Sequence, residues 1–227
     1  MNSKLIIDFD STFIQDETLD EIASIVSNSD TDPYLKEKIS DITNQAMEGK
    51  LDFNSALKKR VKMLSIHKKD ISKITKVLNK RVSESFTKNK NRLLAISNRI
   101  YIVSGGFKEI IIPIVEKFGI NKNQVFANEF TYDKNDFISG INENSPLSHS
   151  DGKIRALKKI DISSGAYIIG DGSTDLEMKQ VDGVVAFICF TENIDRLAVS
   201  SQADYIASNL DQVFRIIENS SQYGEKY

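Results

Sequence analysis

The chain has 227 residues, 40% of them hydrophobic and 27% charged, enough to bury about 70–75% of its unfolded surface in one large domain or in a core with an insertion. Its formal net charge is −2, with both signs interspersed, so it carries no basic footprint for nucleic acid, and no apolar run approaches the roughly 18 residues of a membrane span. One cysteine excludes a disulfide within the chain, and an N-terminus that enters an apolar segment without a basic region or cleavage site reads as a cytoplasmic protein without a signal peptide.

Leu5 to Ile7 is a short apolar run without polar alternation, the pattern of a strand buried on both faces of a parallel sheet. Asp8 and Asp10 follow it directly. In open α/β sheets ligands bind at the carboxyl ends of strands, and residues two apart on extended backbone point the same way. The pair is therefore suited either to share a divalent cation or to divide the roles of nucleophile and proton donor. A bare Asp-x-Asp is also a common loop feature, as Asp30 and Asp32 show.

Thr18-Leu19-Asp20-Glu21 has the form of a capping box and predicts an amphipathic helix through Leu19, Ile22, Ala23 and Val26, which leaves Glu17 as a loop carboxylate near the aspartates. Asp32-Pro33 predicts the start of a second helix, striped by Leu35, Ile39, Ile42 and Ala46 and stopped by Gly49. A third runs from Asp52 through Phe53, Leu57, Val61 and Leu64, and a fourth carries Ile71, Ile74 and Leu78. Four helices without a strand among them predict a helical subdomain over residues 15–83, inserted into an α/β core made of residues 1–14 and 84–227.

Ile100 to Val103 is a second strong strand, closed by Ser104-Gly105-Gly106 and followed by a helix carrying Phe107, Ile110, Ile111, Ile114 and Phe118. Val125 to Tyr132 and Phe137 to Ile141 read as the two arms of a hairpin, and Gly152 to Ile160 as a helix. Ala166 to Ile169 is a third strand, closed by Gly170-Asp171-Gly172; Val184 to Phe190 is a fourth, Asp204 to Ala207 an edge strand, and Leu210 to Ile217 a last helix. Cys189 sits within the fourth strand and reads as a buried thiol. The alternation predicts a doubly wound, Rossmann-like parallel sheet with right-handed crossovers. Three strand ends, Asp8/Asp10, Ser104-Gly105-Gly106 and Asp171-Gly172, should then converge, combining carboxylates for Mg²⁺ with a hydroxyl and glycine-flanked amides for a phosphate oxygen.

The ordered segments DFDST, SGGF and GDGSTD resemble the motifs of the haloacid dehalogenase superfamily of phosphatases, from Leu5 to about Glu218. With ETLDEIA, AMEGKLDF, LKKRV and FAN they are similar to its phosphoserine-hydrolysing branch. The resemblance implies a hydrolase of the last step of serine biosynthesis. In it Asp8 attacks phosphorus, Asp10 protonates the departing serine oxygen, and Asp8, the Asp10 carbonyl and Asp171 hold Mg²⁺ with Asp175 in support. It also implies that Ser104 and Gly105 bind phosphate oxygens, with Gly106 and Thr174 beside them. Ser104 also fits an ordinary helix cap, and Asp175 a first-turn helical acid.

The same resemblance assigns Arg60 to the substrate carboxylate, Glu17 to its ammonium, and Met47 and Phe53 to a covering role. Met47 and Phe53 fit core positions equally well, and Lys58 to Arg60 fits a solvated face. The remaining family feature is a phosphate-side lysine. Aligning apolar positions puts Asp151 there, two residues before Lys153, a shift of about 200° within a helix. A glycine-containing loop and a flexible stem favour Lys153, with Lys158 in reserve. His67 and His149 lack partners at metal-ligand spacing, so zinc is not expected, and His149 reads as a surface residue.

The implied partner is a small phosphate ester, without nucleic acid or membrane. Competing readings are a relative acting on another ester such as phosphohomoserine, a receiver-like domain with a phosphorylatable aspartate, and a metal-binding domain without catalysis.

Overall fold

The computed structural model describes residues 2–27, 32–47 and 50–223. Strand β1 (Lys4–Ile7) is the centre of a six-stranded parallel sheet. Its apolar run divides between two cores: Leu5 and Ile7 join one face, Ile6 the other, and all three are buried. Burial on both faces is why the run lacks the alternation of a half-exposed strand.

The chain then forms helices α1 (Thr18–Val26), α2 (Leu35–Met47), α3 (Phe53–Met63) and α4 (Ile71–Leu78), followed by the short α5 (Glu84–Lys88) and α6 (Lys90–Ala95). Strand β2 (Ile100–Phe107) leads into α7 (Lys108–Val115), and β3 (Val125–Asn128) is followed by β4 (Phe130–Tyr132) and β5 (Ile138–Ile141). The remainder is α8 (Gly152–Leu157), β6 (Ala166–Gly170), α9 (Ser173–Glu177), β7 (Val184–Phe190), α10 (Leu197–Ser200), β8 (Tyr205–Ala207) and α11 (Leu210–Tyr223).

The sheet order is β3-β2-β1-β6-β7-β8. Ile7 pairs with Ile102 on one side and with Ile169 on the other, so Asp8, Ser104 and Asp171 leave the sheet at neighbouring heights. The chain builds outward from β1 in both directions, and the crevice at such a switch point is where open α/β sheets bind ligands.

Three local expectations are corrected. Helix α1 begins at Thr18, with Glu17 in the cap position and no side-chain cap, because the Thr18 hydroxyl donates instead to Asp10. Helix α2 starts at Leu35 rather than Pro33; Asp32 accepts from the Tyr34 N–H at 3.0 Å in a turn ahead of it. The long hairpin arm from Val125 splits at Glu129: β3 joins the main sheet beside β2, and only β4 pairs with β5. Buried Val125 and Ala127 gain more by packing against the sheet than by extending a two-stranded ribbon. Gly49 lies outside the described residues.

The helical insertion is entered and left side by side. Ile14 and Val82 form an antiparallel bridge, the Ser83 N–H donates to the Phe13 carbonyl at 3.0 Å, and Arg81 pairs with Asp16 at 2.6 Å. Beneath this crossing Phe13 packs against Phe9, Phe86 and Phe118, at centroid distances of 5.8, 4.7 and 5.1 Å. Asn193 reaches over from the end of β7 and donates to the Ser83 hydroxyl at 2.8 Å and the Ser11 carbonyl at 3.1 Å. The far side of the insertion is tied to the β4–β5 hairpin by the Ile138 N–H on the Ile66 carbonyl and the Lys68 N–H on the Asp136 carbonyl, at 2.9 and 2.8 Å.

One glycine is fixed by close approach. A Cβ at Gly152 would lie 2.3 Å from the Pro146 carbonyl oxygen and 2.7 Å from the Leu147 Cα, both backbone atoms that cannot swing aside. Gly152→Ala is therefore expected to cost about 1–3 kcal/mol, read as a lower urea midpoint at unchanged slope. A midpoint equal to that of the native chain would contradict this packing.

Candidate active site

Asp8 is buried at the end of β1, its Oδ1 accepting from the Phe9 N–H at 2.7 Å and its Oδ2 paired with Lys153 Nζ at 2.8 Å. Lys153 stands in the first turn of α8, and the same Nζ donates to Asp175 Oδ1 at 2.8 Å. Burial works against its charge, but the carboxylates of Asp175 and Asp8 outweigh burial and hold the ammonium well above the usual lysine range. Asp175 is fully buried on α9, and its Oδ2 accepts from the Gly172 N–H at 3.1 Å. Asp171 accepts from the Thr12 hydroxyl at 3.1 Å and from Arg196 Nε at 2.9 Å.

Asp8, Asp171 and Asp175 offer oxygens within 4.8 Å of one another. Burial pushes the carboxyls of Asp171 and Asp175 up, and the charge of Asp8 adds to the shift in both. An all-oxygen donor set this crowded fits a hard divalent cation, whose charge offsets the mutual repulsion.

The turn from Phe9 to Phe13 sets the next residues. Ser11 is held at φ 53°, a left-handed conformation uncommon for a residue with a side chain, and its hydroxyl donates to Glu17 Oε1 at 3.0 Å. Asp10 Oδ1 accepts from the Thr18 N–H at 3.2 Å and from the Thr18 hydroxyl. Burial, then the nearby charge of Glu17, raise the Asp10 carboxyl well above the ordinary range. A carboxyl that keeps its proton is suited to act as an acid.

On the β2 side Ser104 is buried, and its hydroxyl accepts from the Gly106 N–H at 3.0 Å. Helix α7 begins later, with Phe107 in its cap position, so Ser104 does not cap it. Gly105 lies under the Phe53 ring, which a Cβ there would meet at 3.3 Å.

The helical insertion forms the opposite wall. Glu17, Thr43, Phe53 and Arg60 share a cavity of about 230 Å³ with Asp8, Asp10, Ser104, Gly105, Gly106, Lys153, Asp171 and Thr174. Arg60 is buried, Nη1 donating to Thr43 Oγ1 at 3.1 Å, while its buried Nε has no partner among the described residues. Glu17 lies 3.6 Å from Arg196 Nη2; burial and the charge of Asp171 raise its carboxyl, and Arg60 and Arg196 pull it back. Asn54 Nδ2 donates to the Ser148 carbonyl at 2.7 Å and Lys58 pairs with Glu143 at 2.7 Å, so α3 is tied to the loop before α8.

Other expected residues fall elsewhere. The Met47 side chain lies outside the described residues. Lys158 is exposed at the end of α8 and does not line the cavity, and Asp151 pairs outward with Arg155 at 2.7 Å. His149 is exposed at the rim, and His67 stacks edge-on against Phe137. Burial pushes the Cys189 thiol up to about 11, which keeps it unreactive.

Two residues escaped sequence reasoning. Arg196 follows β7, a strand end that the rule used for β1, β2 and β6 would also have flagged. Asn128 ends β3 and donates to the carbonyls of Gly105, at 2.9 Å, and Leu147, at 3.1 Å, which fixes the glycine loop to the loop before α8. Among the described residues, no helix is long and apolar enough to cross a membrane.

Comparison with known proteins gives a consistent result. The family model of the haloacid dehalogenase-like hydrolases matches residues 5–180. A chloroplastic phosphoserine phosphatase of Arabidopsis thaliana is 31% identical over 217 residues, covering 93% of this chain and 70% of that protein. The crystal structure of a phosphoserine phosphohydrolase-like protein from Francisella tularensis superposes with a TM-score of 0.80 at 27% identity, over 95% of this chain and 99% of that one. A phospho-aspartyl intermediate analogue of phosphoserine phosphatase superposes with a TM-score of 0.73 at 27% identity, over 95% of this chain and 98% of that one.

The site carries a stability prediction. Between the ordinary and the raised pKa of Asp10 the folded state keeps a proton that the unfolded chain has released, so Asp10 opposes folding as pH rises through that interval. Asp10→Asn keeps the acceptor for Thr18 and removes the charge. It should raise the melting temperature at pH 7 to 8 by about 2–4 °C while lowering activity. A lowered melting temperature would contradict this.

Proposed function

The chain belongs to the haloacid dehalogenase-like hydrolases, and from that membership and the arrangement of its cavity we propose that it hydrolyses O-phospho-L-serine to L-serine and inorganic phosphate. The observation that carries the reading is one cavity with Asp8, Asp10, Ser104 and Lys153 on one wall and Glu17 and Arg60 on the other. A phosphate ester fits the first wall, and a zwitterionic amino-acid end the second.

Asp8 is the nucleophile. Its carboxylate attacks phosphorus in line, the ester P–O bond breaks, and the departing serine oxygen takes the proton that Asp10 holds. Water then attacks the phosphoryl group on Asp8, Asp10 accepts its proton, and phosphate leaves with the carboxylate of Asp8 restored. Lys153, 2.8 Å from Asp8, orients that carboxylate and, with the Ser104 hydroxyl and the Gly105 amide, binds the phosphate oxygens. Gly106 and Thr174 complete that side of the cavity. Asp8, Asp171 and the Asp10 carbonyl, backed by Asp175, would hold Mg²⁺, which supplies positive charge to the phosphoryl oxygens.

Arg60 takes the substrate carboxylate, since a guanidinium presents paired donors in a geometry that lysine cannot offer. Its buried Nε, without a partner among the described residues, supports this assignment. Glu17 takes the ammonium, and Phe53 closes over the ligand. Residues 15–83 act as a lid over a core of residues 1–14 and 84–227. Release of L-serine makes this the closing step of serine biosynthesis.

Phosphate release from phosphoserine should require Mg²⁺, and Asp8→Asn should lower turnover by at least about a thousandfold. Phosphothreonine, phosphoethanolamine and phosphohomoserine should each be poorer substrates than phosphoserine. Equal turnover of the four esters would remove the basis for Glu17 and Arg60 as specificity groups.

The proton-donor role has its own signature. Asp10→Asn should slow phosphoserine hydrolysis by about a hundredfold or more, but slow formation of the aspartyl-phosphate from an aryl phosphate, whose leaving group needs little protonation, far less. Equal losses in the phosphoryl-transfer step for the two esters would contradict the role.

A further inference from the structure

Arg60 does not stand alone in its wall. Its Nη1 donates to Thr43 Oγ1 at 3.1 Å. Thr43 has one hydroxyl proton, and two acceptors are within reach of it, Asp20 Oδ1 at 3.2 Å and the Ile39 carbonyl at 3.1 Å. An arginine can only donate, so the threonine oxygen accepts from it and must turn its own proton toward Asp20 or Ile39. Burial raises the Asp20 carboxyl, while the charge of Arg60 and the Thr43 hydrogen bond pull it back. The relay takes one residue from each of three helices, Asp20 from α1, Thr43 from α2 and Arg60 from α3.

This arrangement is costly unless it holds something in place. Arg60 and Thr43 are each 8% exposed, and burying a long cationic side chain sacrifices hydration and rotamer freedom. The Nη1 end is committed to Thr43, while Nε remains without a partner among the described residues. We propose that Thr43, backed by Asp20, is a positioning residue that fixes the rotation of the Arg60 guanidinium. Its Nε edge is thereby left for the substrate carboxylate, and the relay, rather than Arg60 alone, sets the preference for carboxylate-bearing phosphate esters. The inference rests on the reading of Arg60 given above and adds to it the residues that make the arginine selective.

The test compares steady-state kinetics on phosphoserine and on phosphoethanolamine, which lacks the carboxylate, for the native chain, Thr43→Val, Thr43→Ser and Arg60→Lys. Valine keeps the shape of threonine and removes the acceptor. Thr43→Val should raise KM for phosphoserine about tenfold, change kcat by less than about twofold, and leave kcat/KM for phosphoethanolamine within about twofold of native. Thr43→Ser, which restores the hydroxyl, should recover most of the loss.

Equal losses on both esters, or an unchanged KM for phosphoserine, would overturn the positioning role. The underlying reading fails separately: a native chain without preference for phosphoserine, or an Arg60→Lys variant that keeps the preference, would dismiss Arg60 itself and the relay with it. Should Thr43→Val not fold, Asp20→Asn gives the same comparison, with an expected threefold or so rise in KM for phosphoserine alone. No rise in that variant would also overturn the relay.

Discussion

Asp8, Asp171 and Asp175 offer oxygens within 4.8 Å of one another in a buried crevice, and the Lys153 ammonium bridges Asp8 and Asp175 at 2.8 Å each. Like charges so close in a region of low dielectric oppose folding. The molecule tolerates them because strong apolar pairing brings their strands into register. Ile7 lies between Ile102 and Ile169, and all three are fully buried. The sheet thus supplies the stability that its carboxyl edge gives up, a common division in enzymes, where the site is less stable than its scaffold. A divalent cation held there would relieve the same repulsion and so couple metal binding to the integrity of the edge.

The second half of the site has the opposite sign and a different support. Arg60, held through Thr43 by helices α1 and α2, shares the cavity with Asp8, Ser104 and Lys153. Glu17 belongs to both halves, since Ser11 from the β1 turn donates to it at 3.0 Å and Arg196 from the end of β7 approaches to 3.6 Å. The insertion is anchored at its crossing by the Ile14–Val82 bridge and at its rim by Asn54 and Lys58. Movement about the crossing would break the rim contacts first, since they are few and polar, while Phe13 stays packed in its aromatic cluster.

The architecture was legible because unbroken apolar runs bounded by small polar residues have few structural solutions. Leu5 to Ile7, Ile100 to Val103 and Ala166 to Ile169 became neighbouring strands, and the clusters after them meet. The lysine register was harder to read, because alignment by apolar positions put Asp151 where the ammonium should be. Gly152 packs against the Pro146 carbonyl and brings Lys153, not Asp151, into the crevice. Where sequence reasoning failed, a distant partner overrode a local preference: Thr18 gave up its cap for Asp10, and Val125–Asn128 left the hairpin for the sheet. Arg196 stood at a strand end and Asn128 in the FAN segment, but their partners, like that of Thr43, which carried no local signature, are residues that only the fold brings near.

The chemistry attributed to Asp8 leaves a covalent trace, so the most direct measurement is a rapid acid quench during turnover with phosphoserine in Mg²⁺, followed by mass spectrometry of the digested protein. The expected result is one phosphoryl group on the peptide from the N-terminal strand, lost on mild alkaline treatment and mapped to Asp8 by borohydride reduction. Turnover at a normal rate with no phosphoryl group on that peptide, or with the group on another residue, would contradict the account.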